Sequence, residues 1–325
     1  MKTWIDFDAA PVFVLPLIDV VADLTVCEGM LIEGPQGWGE FNPPAGCDDR
    51  QAARWLTAAI EVGTVGWPDP VRGWVPVAVP VPSVDAARAR QLVARAGCNT
   101  AAVRVGDRPD SLAGDIERLE AVRDALGPSG AIRCDANGNW DIDAAAAAIP
   151  ALDRAAGGLE LVEQPCRSLD DVAALRRRID VPIAVDQSIR DATDPLRLAL
   201  AEAADIAVLT TAAMGGVRRA LRIAEGCGLP CVVAAEPGSS VSIAGGLALA
   251  GVLPDAGFAH ALAGALLLTG DLVSDHRSLI PVDGRLPVAP MPPGPDPARL
   301  ERFGATDPKT VARWRGLLAS VQRFL

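Results

Sequence analysis

Three acidic residues in the middle of the chain each close a short apolar run: Asp135 in IRCD, Glu163 in LELVE and Asp186 in PIAVD. They stand 28 residues apart (135 to 163) and then 23 (163 to 186), and a fourth run, IAVLT, ends 24 residues later at Thr210. One strand with one helix takes about this length, so the acids fall at the ends of successive strands of a parallel sheet. Strand ends of that kind share one face, where three carboxylates would repel strongly unless something positive sat among them. A hard divalent cation, Mg²⁺ or Mn²⁺, is the simplest partner, since it takes oxygen ligands and leaves positions for water and a substrate anion. The plainer alternative is that each acid caps the helix that follows it.

The elements that must carry these residues repeat from about residue 76. Apolar runs (VAVPV, AAVRV, AIRCD, LELVE, PIAVD, IAVLT, CVVAA and, less clearly, FAHALAG) alternate with amphipathic stretches such as SVDAARARQLVARAG and GGVRRALRIAEGCG. Seven or eight such units close most naturally into a (β/α) barrel. An open doubly wound sheet is the rival, but no G-x-G-x-x-G follows the first strand. Before the repeat, DLTVCEGMLIEGPQGWGEF forms a hairpin around GPQG, and DDRQAARWLTAAIEVGT a helix with Ala52, Trp55, Leu56 and Ile60 on one face. The stretch PLIDVVADL ahead of the hairpin is expected to be a loop. After about residue 277 the pattern turns irregular and Pro-rich, and a final helix presents Val311, Trp314, Leu317 and Leu318 on one face. The organisation expected is an α+β capping unit over 1–75, a barrel over 76–277, and a segment 278–325 packing back on the cap.

Composition narrows the partners. The chain of 325 residues has a net charge of −11, which argues against nucleic acid, because phosphate binding needs a basic face. No uncharged apolar run is long enough for a membrane span, and the first residues lack a secretion signal, so a cytoplasmic protein with no membrane partner is expected. The seven Cys are scattered, with only Cys227 and Cys231 close together, and are expected to be reduced. There is no Tyr, and the only lysines are Lys2 and Lys309.

The stretches RCDANGNW, LVEQPC and PIAVDQSIR, in that order, resemble the enolase superfamily. LIEGPQGWGEF, DDVAALRRRIDVP, GGVRRALRIAEGCGLP and PVDGRLPV make the resemblance specific to the o-succinylbenzoate synthases of the actinobacterial type, over nearly the whole chain. It implies a (β/α)7β barrel of the TIM type, with an N-terminal α+β capping domain completed by the C-terminal segment. It also implies Mg²⁺ on Asp135, Glu163 and Asp186, a small carboxylate ligand, and a dehydration on the way to menaquinone. Two lysines carry the proton in that family. The first lies in a Lys-x-Lys pattern on the second barrel strand, matched here by Ala102 and Arg104, and the second on the sixth strand, matched by Thr210. Further departures are Ala234 and Ala235 in place of a Ser pair, Gln187 in place of Glu, and no Arg in PLIDVVADL.

Arg104 is a poor general base: with a pKa of about 12.5 or more, roughly one molecule in 10⁵ is free base at neutral pH. It can still act as a fixed charge beside an enediolate. The Thr210 hydroxyl is not basic without a neighbour to take its proton. Replacement bases are Glu236, just beyond the seventh strand, and His260, after the eighth. Glu236 reads equally as a solvated loop acid, and His260 as a core residue. Arg190, after DQSI, reads as a partner for a carboxylate or, more plainly, as part of an ion pair on the surface or behind the ligands, and Asp107 and Asp275 as loop acids. Three outcomes follow: a diverged barrel without the dehydration, a metal-dependent lyase or isomerase using another base, or an active o-succinylbenzoate synthase. The sequence leaves the oligomeric state open.

Overall fold

A computed structural model describes residues 5–289 and 291–325. Its first unit is a three-stranded antiparallel sheet of β1 (Val12–Val21), β2 (Leu24–Gly34) and β3 (Gly37–Phe41), followed by helix α1 (Asp49–Thr64). Gly34 pairs with Gly37 around the GPQG turn, as the hairpin reading expects. Asp48 caps α1 in a reciprocal box with Gln51, which satisfies two backbone donors at the helix start. The helix lays Ala52, Trp55, Leu56 and Ala59 on the sheet, while Ile60 is only half-buried. The approach is close because Gly39 has no side chain: a Cβ there would lie 2.1 Å from the Ala59 carbonyl oxygen.

The expected loop at 16–24 is instead β1 and its turn. Val21 pairs with Leu24 across Ala22 and Asp23, both at positive φ (48° and 65°), as a two-residue hairpin requires. Apolar Phe13 and Leu15 are fully buried, whereas Pro16 and Asp19 break the alternation that would have marked a strand.

The repeat forms the barrel. After β4 (Trp74–Pro76), parallel strands β5 (Val79–Val81), β6 (Thr100–Arg104), β7 (Ala131–Asp135), β8 (Leu161–Glu163), β9 (Ile183–Val185), β10 (Ile206–Thr210) and β11 (Cys231–Ala234) hydrogen-bond in sequence order. Between them run α2 (Ala86–Ala96), α3 (Leu112–Leu126), α4 (Ile142–Ala156), α5 (Leu169–Arg176), the short α6 (Gln187–Arg190), α7 (Leu200–Ala203) and α8 (Thr211–Met214), and α9 (Val217–Cys227). Helix α10 (Ser240–Val252) follows the seventh sheet strand. The ring is closed by residues 260–261, the faint eighth run: His260 N donates to Pro76 O (2.9 Å), and Ala261 N to Val233 O (2.8 Å). Leu161, Ala184, Ile206, Val208 and Val232 fill the barrel's interior.

The tail divides its packing. Strand β12 (Arg285–Pro287) pairs with β4 at the barrel, so this part of 278–325 does not lie on the cap. Beyond α11 (Pro297–Phe303), helix α12 (Pro308–Val321) does: Trp314 meets Phe41 edge-on with ring centroids 6.0 Å apart. Trp314, Leu318 and Val321 are its buried face. All seven cysteines are free thiols, and the Cys227 and Cys231 sulfurs lie 3.8 Å apart. Among the described residues, no helix is long and apolar enough to cross a membrane.

Candidate active site

Five consecutive strands end on residues that face the same mouth. Arg104, Asp135, Glu163 and Thr210 are the last residues of β6, β7, β8 and β10, and Asp186 follows β9 directly. Parallel register sets Arg104 beside Asp135 and Asp135 beside Glu163. All five line one cavity of about 220 Å³, together with Ala102, Arg190, Glu236 and, from the cap, Val21 and Ala22 at the hairpin tip. The site thus lies at the C-terminal face of the barrel, where loops can vary without disturbing the core.

Two guanidiniums run through the cluster. Arg104 Nη1 lies 2.5 Å from Asp135 Oδ2, and its Nε 3.1 Å from Asp107 Oδ1. Arg190 Nη2 lies 3.3 Å from Asp186 Oδ2, and its Nη1 bonds Glu236. Asp135 Oδ1 accepts from the Asn137 backbone (2.9 Å). Gln164, fully buried in the VEQP run, orients the Asp186 loop: its Oε1 accepts from the Asp186 and Ser188 N–H groups at 3.0 and 3.1 Å. Among the described residues Asp135 and Asp186 are ion-paired and Glu163 is not, and Asp186 Oδ1 is buried without a hydrogen-bond partner.

The electrostatics record this imbalance. Burial, then the neighbouring charges of Asp135 and Asp186, push the Glu163 pKa well above the usual carboxylate range. Burial raises Asp186 to about 7 even though the Arg190 guanidinium works in the other direction. Burial works against the charges on Arg104 and Arg190, but their carboxylate partners outweigh it and push both pKa values up. Neither guanidinium is a source or sink of protons.

The structure thus gathers Ala102, Arg104, Asp135, Glu163, Asp186, Thr210 and Glu236 in one place. It removes His260, which is buried at the barrel closure. Its Nδ1 accepts from the Val233 N–H (3.1 Å), and burial with nearby Arg133 lowers its pKa to about 4. Arg190 pairs with carboxylates, as one of its two readings expects, reaching Asp186 and Glu236 at the cavity wall. Its spacing of four residues from Asp186 on a short helix was the available signal. Asp107 is a partner of Arg104, whereas Asp275 opens a single 3-10 turn, Asp275–Arg277, and is an exposed acid paired with Arg299. Lys309 stands at the start of α12, away from the cavity, and Lys2 lies outside the described residues.

Whether the acids suit a divalent cation can be tested on this geometry. Three carboxylates are the oxygen donors such an ion prefers, and a buried Asp186 oxygen without a partner leaves an acceptor aimed at no donor. The donor set fits in kind. Its present arrangement is not closed: among the described residues, no three His, Cys, Asp or Glu side chains converge as a metal site needs. Asp135 and Asp186 are instead held by Arg104 and Arg190.

Known proteins share this architecture. The family described as Enolase C-terminal domain-like matches residues 84–295, and that described as Enolase N-terminal domain-like matches residues 12–63. The o-succinylbenzoate synthase of Thermobifida fusca is 51% identical over 276 residues, covering 85% of this chain and 86% of the relative. That of Mycolicibacterium smegmatis is 44% identical over 92% of this chain and 90% of its own. Among solved structures, the muconate lactonizing enzyme of Pseudomonas fluorescens, in complex with muconolactone, superposes with a TM-score of 0.77 at 22% identity, covering 93% of this chain and 98% of that one. A dipeptide epimerase of Enterococcus faecalis, complexed with Mg and L-Leu-L-Tyr, superposes with a TM-score of 0.72 at 19% identity, covering 90% and 99%. These two likenesses concern the fold. With the barrel, the cap and the synthases' identity over most of both chains in agreement, the chain belongs to the o-succinylbenzoate synthase family of the enolase superfamily.

Proposed function

We propose that this protein binds a small carboxylate beside a divalent cation, Mg²⁺ or Mn²⁺, at the barrel mouth. We propose further that it no longer performs the dehydration to o-succinylbenzoate, a step towards menaquinone, at the rate its relatives' name implies. The observation that carries the reading is the set Ala102, Arg104 and Thr210, which line the cavity at the positions where the family resemblance places lysines. Asp135, Glu163 and Asp186 would hold the cation, which when bound supplies positive charge to stabilise an enediolate. Arg104 provides a fixed charge and no base. Thr210 is buried, and its hydroxyl has no hydrogen-bond partner among the described residues that could take its proton. A general base is worth about 10²- to 10⁴-fold, so loss of the pair removes most of the usual rate.

The test is turnover of the cyclohexadiene substrate of o-succinylbenzoate synthase with Mg²⁺ present, measured beside a lysine-containing relative. The expected result is a rate at least about 10²-fold lower. A rate equal to the relative's would overturn the reading. A second reading, a lyase or isomerase with Glu236 as base, is favoured by the place of Glu236 on the cavity wall. It predicts a reaction on some carboxylate that Glu236→Gln abolishes.

A further inference from the structure

We infer that Arg104 is a built-in competitor for the cation position, so that a divalent ion binds the three acids only by displacing the Arg104 guanidinium from Asp135. The inference rests on the cation reading above and specifies how that site is regulated.

The cavity wall carries four carboxylates, Asp135, Glu163, Asp186 and Glu236, against two guanidiniums, Arg104 and Arg190. The two guanidiniums are not equivalent. Arg190 is placed beside Asp186 by one turn of helix, and it leaves the second Asp186 oxygen unpartnered and so available. Arg104 is placed by strand register directly beside Asp135, and its contact at 2.5 Å takes Asp135 Oδ2, while the other oxygen is spent on the Asn137 N–H. Each Asp135 oxygen thus already accepts one contact, and the one on Oδ2 comes from a full positive charge, whereas Glu163 next to it in the register makes no ion pair among the described residues. Among the described residues the three acids do not converge, and of the two guanidiniums that hold them Arg104 is the one paired with an acid that keeps no unpartnered oxygen.

The same side chain has a second resting place. Arg104 Nε lies 3.1 Å from Asp107, whose other oxygen accepts from Ser83. Asp107 is three residues on, in the loop after β6, and can keep the guanidinium when Asp135 turns towards a cation. Displacement then costs one of two ion pairs rather than both. A positive charge left near the ion still weakens its binding through simple repulsion.

The experiment measures Mn²⁺ binding by calorimetry and by the loss of the free-ion EPR signal, with no substrate and no turnover. Arg104→Gln keeps length and removes charge, and should tighten Mn²⁺ binding at least about tenfold. Arg104→Lys keeps the charge and should stay close to the parent. Asp107→Asn leaves Arg104 and all three acids in place but removes the second resting place, and should weaken binding. Far-UV circular dichroism and the melting midpoint check that each variant is folded; if Arg104→Gln is not, Arg104→Lys and Asp107→Asn decide. Equal Mn²⁺ affinity in the parent, Arg104→Gln and Asp107→Asn would overturn the competitor inference while leaving the cation site intact. Absence of binding in all of them, indistinguishable from Glu163→Gln, would overturn the cation reading and the inference with it.

Discussion

Arg190 lies one turn after Asp186 on the same short helix, 3.3 Å from its carboxylate, and its other nitrogen holds Glu236. One guanidinium thus ties the end of β9 to the loop after β11, across a barrel strand that contributes only Thr210 at this level. Replacing it leaves two carboxylates without their counter-charge in a largely buried place. Arg190→Met should destabilise the fold by about 3 kcal/mol in urea unfolding, with Arg190→Lys less affected. Mn²⁺ should recover part of the loss in Arg190→Met by supplying charge to Asp186. An unchanged urea midpoint would mean that the bridge contributes nothing to folding.

Divalent ions should raise the melting midpoint of the parent protein, because an ion that binds the folded state alone stabilises it by mass action. At a concentration 100 times the dissociation constant the gain is about 2.7 kcal/mol. Glu163→Gln should reduce the shift strongly, since Glu163 is the one carboxylate of the three that no guanidinium holds. Differential scanning with and without Mg²⁺ checks this; no response in the parent would make the acids purely structural.

Restoring amines tests the missing base directly. The combined variant Ala102→Lys, Arg104→Lys and Thr210→Lys should gain dehydration activity of about 10²-fold or more over the parent, where a single change at 210 should do little. Activity that stays flat in the folded triple variant would show that more than the lysines has been lost.

The pH dependence of stability should carry a mark from Glu40. This residue of β3 is buried; Ser239 donates to one of its oxygens, and the other has no partner. Burial raises its pKa from 4.5 to about 8. The unfolded chain gives up this proton near 4.5 and the folded one near 8, so the stabilising contribution is complete below pH 4.5 and is lost as pH climbs to 8. Glu40→Gln imitates the protonated form and should flatten the fall over that window, a difference on the order of a few kcal/mol at its alkaline end. Urea midpoints at pH 5, 6, 7 and 8 for both proteins provide the check; parallel curves would place Glu40 outside the account.

Much of this was legible in the residues themselves. The barrel could be read because its strands are apolar runs at regular spacing, five of them, β6 to β10, closed by a polar or charged residue, and the spacing of Asp135, Glu163, Asp186 and Thr210 put those residues at one mouth. The eighth strand was faint because only His260 and Ala261 make barrel hydrogen bonds there. Strand β1 was missed because Pro16 and Asp19 interrupt its alternation, and its pairing depends on β2 rather than on local preference. Ion pairs were the least legible part. Whether Arg190 faces a cavity or solvent depends on which side of a four-residue helix meets the wall, and no periodicity exists over so short a length. That Arg104 occupies Asp135 needed the register between β6 and β7.

The contact between Trp314 of α12 and the cap has a consequence for the order of assembly. The Trp314 indole N–H reaches Glu28 of β2 at 3.3 Å, across a separation of 286 residues. During synthesis the ribosome releases every barrel strand between those two points before the partner of the cap sheet emerges. The hairpin tip at Val21 and Ala22 belongs to that sheet and lines the cavity, so the last long helix to leave the ribosome packs on the same sheet that supplies part of the cavity wall.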